Sequence, residues 1–270
     1  MRFSICLEMI YPELDFAARA ERIREAGFTA VEFWGWEGKD LAVLRRLLGR
    51  GLAVATFSGQ RRGSLVDPGG WDVYRAEVQA SIPVARSLGC DRLMLLTQEE
   101  LPDGSARPAP PHVTRAEQRA NVVTGLKALA PLAEREGMTL LLEPLNTRVD
   151  HPGYFLDSAR EGFAIVEEVG SPHVRLLYDI YHMEVMERES TRALLRHIPL
   201  VGHIHIADVP GRHEPGTGAL DFIGILRALG EAGYTGAVGF EFAPQAGTDE
   251  ALARITTLRA QLRSHGCEVS

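Results

Sequence analysis

"REGMTLLLE", Arg135 to Glu143, carries the grammar of the chain in nine residues: a charged helix end, a glycine, then an apolar run closed by a carboxylate. "EAGFTAVEF" (Glu25–Phe33), "SLGCDRLML" (Ser87–Leu95) and "EAGYTGAVGF" (Glu231–Phe240) repeat the helix end, the glycine and the run. A glycine just past a helix takes a positive φ without steric cost. The run that follows is too short for a helix and reads as a buried strand.

Working outward, strands are expected at Arg2–Leu7, Ala30–Phe33, Ala53–Phe57, Arg92–Leu96, Thr139–Leu142, Arg175–Tyr178, Val201–Ile206 and Ala237–Phe240. Amphipathic helical patterns lie between and after them: Asp15–Ala26, Asp40–Leu48, Val73–Leu88, Arg115–Glu136, Ser158–Val169, Thr191–His197, Asp221–Ala232 and Asp249–Ser264. Eight β-then-α units predict an α/β fold, a (β/α)8 TIM barrel, as one domain over residues 1–270. A doubly wound open sheet is the alternative. It is disfavoured because no glycine-rich phosphate fingerprint follows the first strand. Two long loops, Ser58–Gly70 and Gln98–Val113, follow strands and would lie on the active-site face, as lids or as tolerated excess.

Apolar residues make up 45% and charged residues 24% of the 270, an ordinary balance for a globular protein. The net charge of −7 argues against a protein that tracks nucleic-acid phosphates. Cys6, Cys90 and Cys267 are far apart and odd in number, which suits thiols in a reducing compartment. Glu8 and Pro12 interrupt the N-terminal run before a signal-peptide core forms, and no apolar run approaches a membrane span. The expected location is the cytoplasm, with no membrane partner.

In a (β/α)8 barrel the chemistry sits where strands end. Strand 5 ends in Glu143, strand 6 in Asp179, strand 7 in His205 and strand 8 in Glu241. Carboxylates that follow buried apolar residues are costly unless paired or metal-bound. Each alone could cap a loop or pair with an arginine; four in register point to a cation. Three oxygen donors and one nitrogen suit Mn²⁺ or Mg²⁺, with Co²⁺ also accommodated. Such a site acidifies the C–H between the two oxygens of an α-hydroxy-carbonyl compound. Glu143 and Glu241 are then placed to remove and return a proton, giving a 1,2-proton shift through an enediolate.

"LLLEPLNTRVDHPGYFL", "LLYDIYHMEVMER", "GHIHIADVPGRHEPGTGALDF" and "GYTGAVGFEFAP" resemble the hydroxypyruvate isomerases, xylose-isomerase-like barrels related to the ketose 3-epimerases. The resemblance covers most of the chain and is strongest from Thr139 to Pro244. It implies the same four metal ligands and the same two catalytic glutamates. It also implies that His182 and Arg212 bind substrate, Arg212 clamping a carboxylate. The sequence departs from the family pattern at His205, where many members carry Gln, and at Ala243, where many carry Lys.

Trp34 and Trp36 follow strand 2, to wall the pocket or to cover the barrel end. His203, two before His205, faces the same way one layer deeper. His151 is expected to shape the loop after strand 5 or to touch substrate, Asp208 to bond within its own loop, and Glu214 to order Arg212 or reach a partner subunit. His213 is expected to be a loop residue.

The reaction so expected is hydroxypyruvate to tartronate semialdehyde. A ketose 3-epimerase and a four-carbon oxo-acid (oxo-tetronate) isomerase stand as alternatives. An abasic-site endonuclease and a non-catalytic sugar-binding protein stand behind them. The expected partners are a small hydroxy-carbonyl acid or sugar and a second copy of the chain, with no nucleic acid, nucleotide or redox cofactor.

Overall fold

The computed structural model describes residues 1–188 and 190–270. Eight parallel strands close into a barrel in sequence order: β1 Arg2–Cys6, β2 Ala30–Phe33, β3 Ala53–Ser58, β4 Arg92–Leu95, β5 Thr139–Leu142, β6 Val174–Asp179, β7 Val201–Ile206 and β8 Ala237–Phe240. Strand β1 pairs with both β2 and β8, so the sheet has no free edge. The predicted strands agree with these to within one residue at each end.

The helices are α1 Phe16–Glu25, α2 Leu41–Leu48, α3 Trp71–Ser87, α4 Arg115–Glu136, α5 Ala159–Val169, α6 Ile180–Glu187, α7 Ser190–Arg196, α8 Phe222–Glu231 and α9 Thr248–Ser264. Their starts are chemically marked. Asp15, Asp40 and Asp221 accept backbone N–H bonds ahead of α1, α2 and α8, and Thr114 closes a capping box with Glu117 on α4. At the end of α4, Gly137 takes φ +66°, the left-handed turn that feeds β5.

Helix α6 has no counterpart among the predicted elements. Its first four residues are all buried, so it lacks an amphipathic period. It begins one residue after β6 because Asp179, the last residue of that strand, is its N-cap. Asp179 Oδ1 accepts the N–H groups of Tyr181 and His182.

Strand alternation sorts the side chains into two layers. Phe3, Ile5, Val31, Leu140, Leu142, Ile204 and Phe240 join the large core between sheet and helices. Met94, Leu141 and Leu177 form a separate apolar cluster from the intervening positions of β4, β5 and β6, with Trp34 against it. The inward positions of β1, β2, β7 and β8 are instead Ser4 and Cys6, Glu32, His203 and His205, and Gly239. The barrel therefore has an apolar half and a polar half, and the strand-end residues sit above both. Among the described residues, no helix is long and apolar enough to cross a membrane.

Candidate active site

Backbone register brings the four strand ends together. One donor atom each from Glu143, Asp179, His205 and Glu241 lies within 4.8 Å of the others, and all four residues are buried. His205 Nδ1 is 3.3 Å from Glu143 Oε1 and 3.6 Å from Glu241 Oε2. On its other side, Nε2 is 3.0 Å from Glu32 Oε1. None of these contacts is aligned as a hydrogen bond, which leaves both ring nitrogens of His205 and Glu143 Oε1 buried without a partner. Orphaned buried donors and acceptors are costly. A divalent cation bound by oxygen and imidazole nitrogen fits this set, since it would take His205 Nδ1 and Glu143 Oε1 as ligands, with Nε2 left to face Glu32.

The carboxylates are held in different electrostatic states. Burial pushes Asp179 up to about 7, against the pull of His205 and Arg212. Burial also raises Glu143, although His205 opposes it. Burial acts on Glu241 in the same direction, but Arg212 and His205 outweigh it and bring Glu241 below the usual range. Arg212 Nη2 donates to Glu241 Oε2 at 2.8 Å, and Trp34 Nε1 donates to Oε1 at 2.6 Å. Two carboxylates whose environments push them in opposite directions suit an acid/base pair.

His182, in the first turn of α6, is fully buried. The backbone N–H of Asn146 donates to its Nδ1 at 3.2 Å, and Asn146 Nδ2 lies 2.7 Å from the same nitrogen. The amide is oriented by its own Oδ1, which accepts from Val149 N and Asp150 N. Nδ1 is thus the acceptor. Burial, with Arg212 nearby, keeps His182 well below its ordinary value and neutral, so Nε2 carries the proton. That N–H lies 3.3 Å from Arg212 Nη2. Arg212 itself stands at φ +56°, stacks over Tyr181 and leaves Nε unpaired.

A cavity above the tetrad is lined by Glu143, Glu241, His182, Arg212 and Trp34, and by Arg61, Glu100 and His151 from the surrounding loops. The two tryptophans part ways. Trp34 faces the cavity, whereas Trp36 turns outward and donates to Ser81 Oγ on α3 at 2.9 Å. Both long loops reach the cavity, through Arg61 and Glu100, which face each other at 3.4 Å. His151 Nδ1 lies 3.0 Å from Gly104 O, so His151 ties the loop after β5 to the second long loop.

Asp208 bonds within its own loop, accepting from Val209, Gly216, Gly218 and Leu220 N–H groups. His213 Nδ1 lies 2.7 Å from Ala243 O. Glu214 does not order Arg212. Its Oε2 accepts from Gln245 N at 3.0 Å and its Oε1 faces Arg254 at 3.8 Å, so it fastens the β7 loop to the segment after β8.

Sequence reasoning assigned no role to Glu32 or Asn146. Glu32 points inward from the middle of β2, with Oε2 accepting from Ser4 Oγ at 2.8 Å and lying 3.0 Å from His203 Nε2. Burial would raise it, but the imidazoles of His205 and His203 hold it well below the carboxylate range. The signal was an acid inside an apolar strand, at the same parity as Trp34.

Residues 20–259 match the xylose isomerase-like TIM barrel family. A 2-oxo-tetronate isomerase of Cupriavidus necator is 34% identical over 93% of this chain and 96% of its own. The hydroxypyruvate isomerase of Escherichia coli is 32% identical, over 93% and 97%. The crystal structure titled AP endonuclease, family 2, from Brucella melitensis superposes with a TM-score of 0.85, at 29% identity over 95% and 98%. The chain belongs to the xylose isomerase-like TIM barrel family, and with relatives of this identity and coverage it is an isomerase of the hydroxypyruvate isomerase kind.

Proposed function

We propose that this isomerase depends on a divalent metal and moves a proton between adjacent carbons of a small α-hydroxy-carbonyl acid, converting 3-hydroxypyruvate to tartronate semialdehyde. The observation that carries the acid is a pair of converging donors, His182 Nε2–H and Arg212 Nη2, 3.3 Å apart at the cavity wall. Two donors this close repel each other unless an anionic oxygen accepts from both. The free Nε of Arg212 offers a second prong to a carboxylate.

Glu143, Asp179, His205 and Glu241 would hold Mn²⁺ or Mg²⁺, with Co²⁺ as a working substitute. Once bound, the cation polarises the hydroxyl and carbonyl oxygens of the substrate and acidifies the C–H between them. The remaining work falls to side chains. Glu143 and Glu241 face one cavity from β5 and β8. One takes a proton from C3 and the other delivers a proton to C2, while the hydroxyl hydrogen passes from O3 to O2, so atoms and charge balance. Arg212 and Trp34, one on each oxygen of Glu241, fix its orientation and stabilise its charge. His182, neutral with Nδ1 occupied, acts as a donor.

A four-carbon acid is the second reading, favoured by the 34% identity to a 2-oxo-tetronate isomerase. A neutral ketose has no carboxylate for His182 and Arg212. The test is a panel of hydroxypyruvate, 2-oxo-tetronate, D-fructose and an abasic DNA duplex, run with wild type and Arg212→Lys. One of the two acids is expected to dominate. Arg212→Lys should cost it about 10- to 100-fold in kcat/KM, the worth of a lost charged hydrogen bond. Epimerised ketose or nicked duplex, with neither acid turned over, contradicts the reading.

A further inference from the structure

We infer that Glu32 is a positioning residue for the proposed metal centre: it holds His205 from behind, so that Nδ1 faces Glu143 and Glu241. The inference rests on the metal reading above and extends it to a residue outside the ligand set.

The barrel is built to let Glu32 do this. Glu32 belongs to β2 and His205 to β7, and β1 and β8 stand between them. At this level β7 contributes His205, β8 Gly239 and β1 Ser4, aligned across the sheet as His205↔Gly239 and Ser4↔Gly239. The two intervening positions are therefore small. The Glu32 side chain crosses over them to bring Oε1 within 3.0 Å of His205 Nε2.

The space is specific. A Cβ on Gly239 would fall on the Glu32 carboxylate, 2.6 Å from Cδ and closer to both oxygens. A β8 with any side chain there could not coexist with Glu32 in this place.

The other oxygen is committed as well. Ser4 Oγ–H donates to Oε2 at 2.8 Å, and His203 Nε2 lies 3.0 Å from it. With Oε2 fixed from two sides, Oε1 faces His205 Nε2 at 3.0 Å, an ion-pair contact not aligned as a hydrogen bond. A carboxylate on one imidazole nitrogen sets the tautomer and ring angle, which leaves the other nitrogen with its lone pair directed away. With a cation bound, that nitrogen would be Nδ1, which faces Glu143 Oε1 at 3.3 Å. Ser4 thus acts on the centre through Glu32, whereas His203 does so through Glu32 and through its own edge-to-face contact with the His205 ring, centroids 5.0 Å apart.

The test is titration of metal-free wild type, Glu32→Gln and Ser4→Ala with Co²⁺, followed by visible absorption and calorimetry, beside the melting temperature of each metal-free protein. Glu32→Gln is expected to raise the Co²⁺ dissociation constant about 10- to 100-fold. Ser4→Ala, which removes one anchor and keeps the carboxylate, should give a smaller rise with unchanged melting; it carries the test if Glu32→Gln fails to fold. A lower melting temperature in either variant with wild-type Co²⁺ affinity and spectrum would make Glu32 a packing residue and overturn the proposal. Absence of saturable Co²⁺ binding in wild type would instead overturn the metal reading, and the proposal with it.

Discussion

Glu241→Gln is expected to lower kcat about 10²- to 10⁴-fold, the usual worth of a positioned acid or base, with the fold intact. Glutamine matches glutamate in size, and its carbonyl can still accept from Arg212, which now bonds Oε2 at 2.8 Å. What disappears is the ability to take a proton, together with the acceptor for Trp34 Nε1, which now bonds Oε1 at 2.6 Å. Because Gln keeps an oxygen donor, Co²⁺ should still bind, and the defect should lie in turnover rather than in assembly of the site. Single-turnover kinetics with saturating metal would separate the two. Full activity in this variant contradicts a two-glutamate mechanism outright.

Gly239→Ala carries the largest expected structural effect for the smallest chemical change. A glycine inside a strand ordinarily weakens it, so alanine on an open β8 would be neutral or helpful. Here the new methyl would occupy the space of the Glu32 carboxylate. The conflict cannot be relieved by a surface rotamer, because Glu32 is buried and anchored by Ser4 and His203. Overpacking of this kind costs about 1–3 kcal/mol. At about 2–4 °C per kcal/mol, the melting temperature should fall by roughly 2–12 °C. Displacing Glu32 should also weaken Co²⁺ binding. A variant that melts and binds metal like wild type would mean that Glu32 does not occupy this place.

Much of this was legible in the sequence. Helix end, glycine and short apolar run recur because a parallel barrel needs a tight turn at each return to the sheet; β7, entered from the turn Ile198–Leu200 without a glycine, is the exception. The convergence of Glu143, Asp179, His205 and Glu241 was legible too, since all four close apolar runs and a closed barrel brings strand ends to one rim. Trp34, one residue past β2, keeps the inward parity of Glu32 and reaches the cavity; Trp36, three residues past the strand, does not.

Other features depend on contacts that no local pattern records. Glu32 meets His203 across 171 positions of sequence, and only closure of β1 on β8 makes them neighbours. Helix α6 was missed because Asp179 serves at once as strand end, helix cap and member of the tetrad. Asn146 was missed because its contribution is a tautomer, visible only once its amide is seen against His182. Glu214 was placed beside Arg212 by proximity in sequence, but the β7 loop turns it toward Gln245 and Arg254.

The most direct measurement is proton NMR of 3-hydroxypyruvate with the purified protein in D₂O, with Mg²⁺ and with a chelated control. The chelated control sets the rate of spontaneous enolisation. Deuterium entering C2 of the product only with metal, together with a new aldehyde-hydrate signal that forms faster than in the chelated control, is the predicted result. Exchange no faster than the chelated control would contradict the proposed reaction.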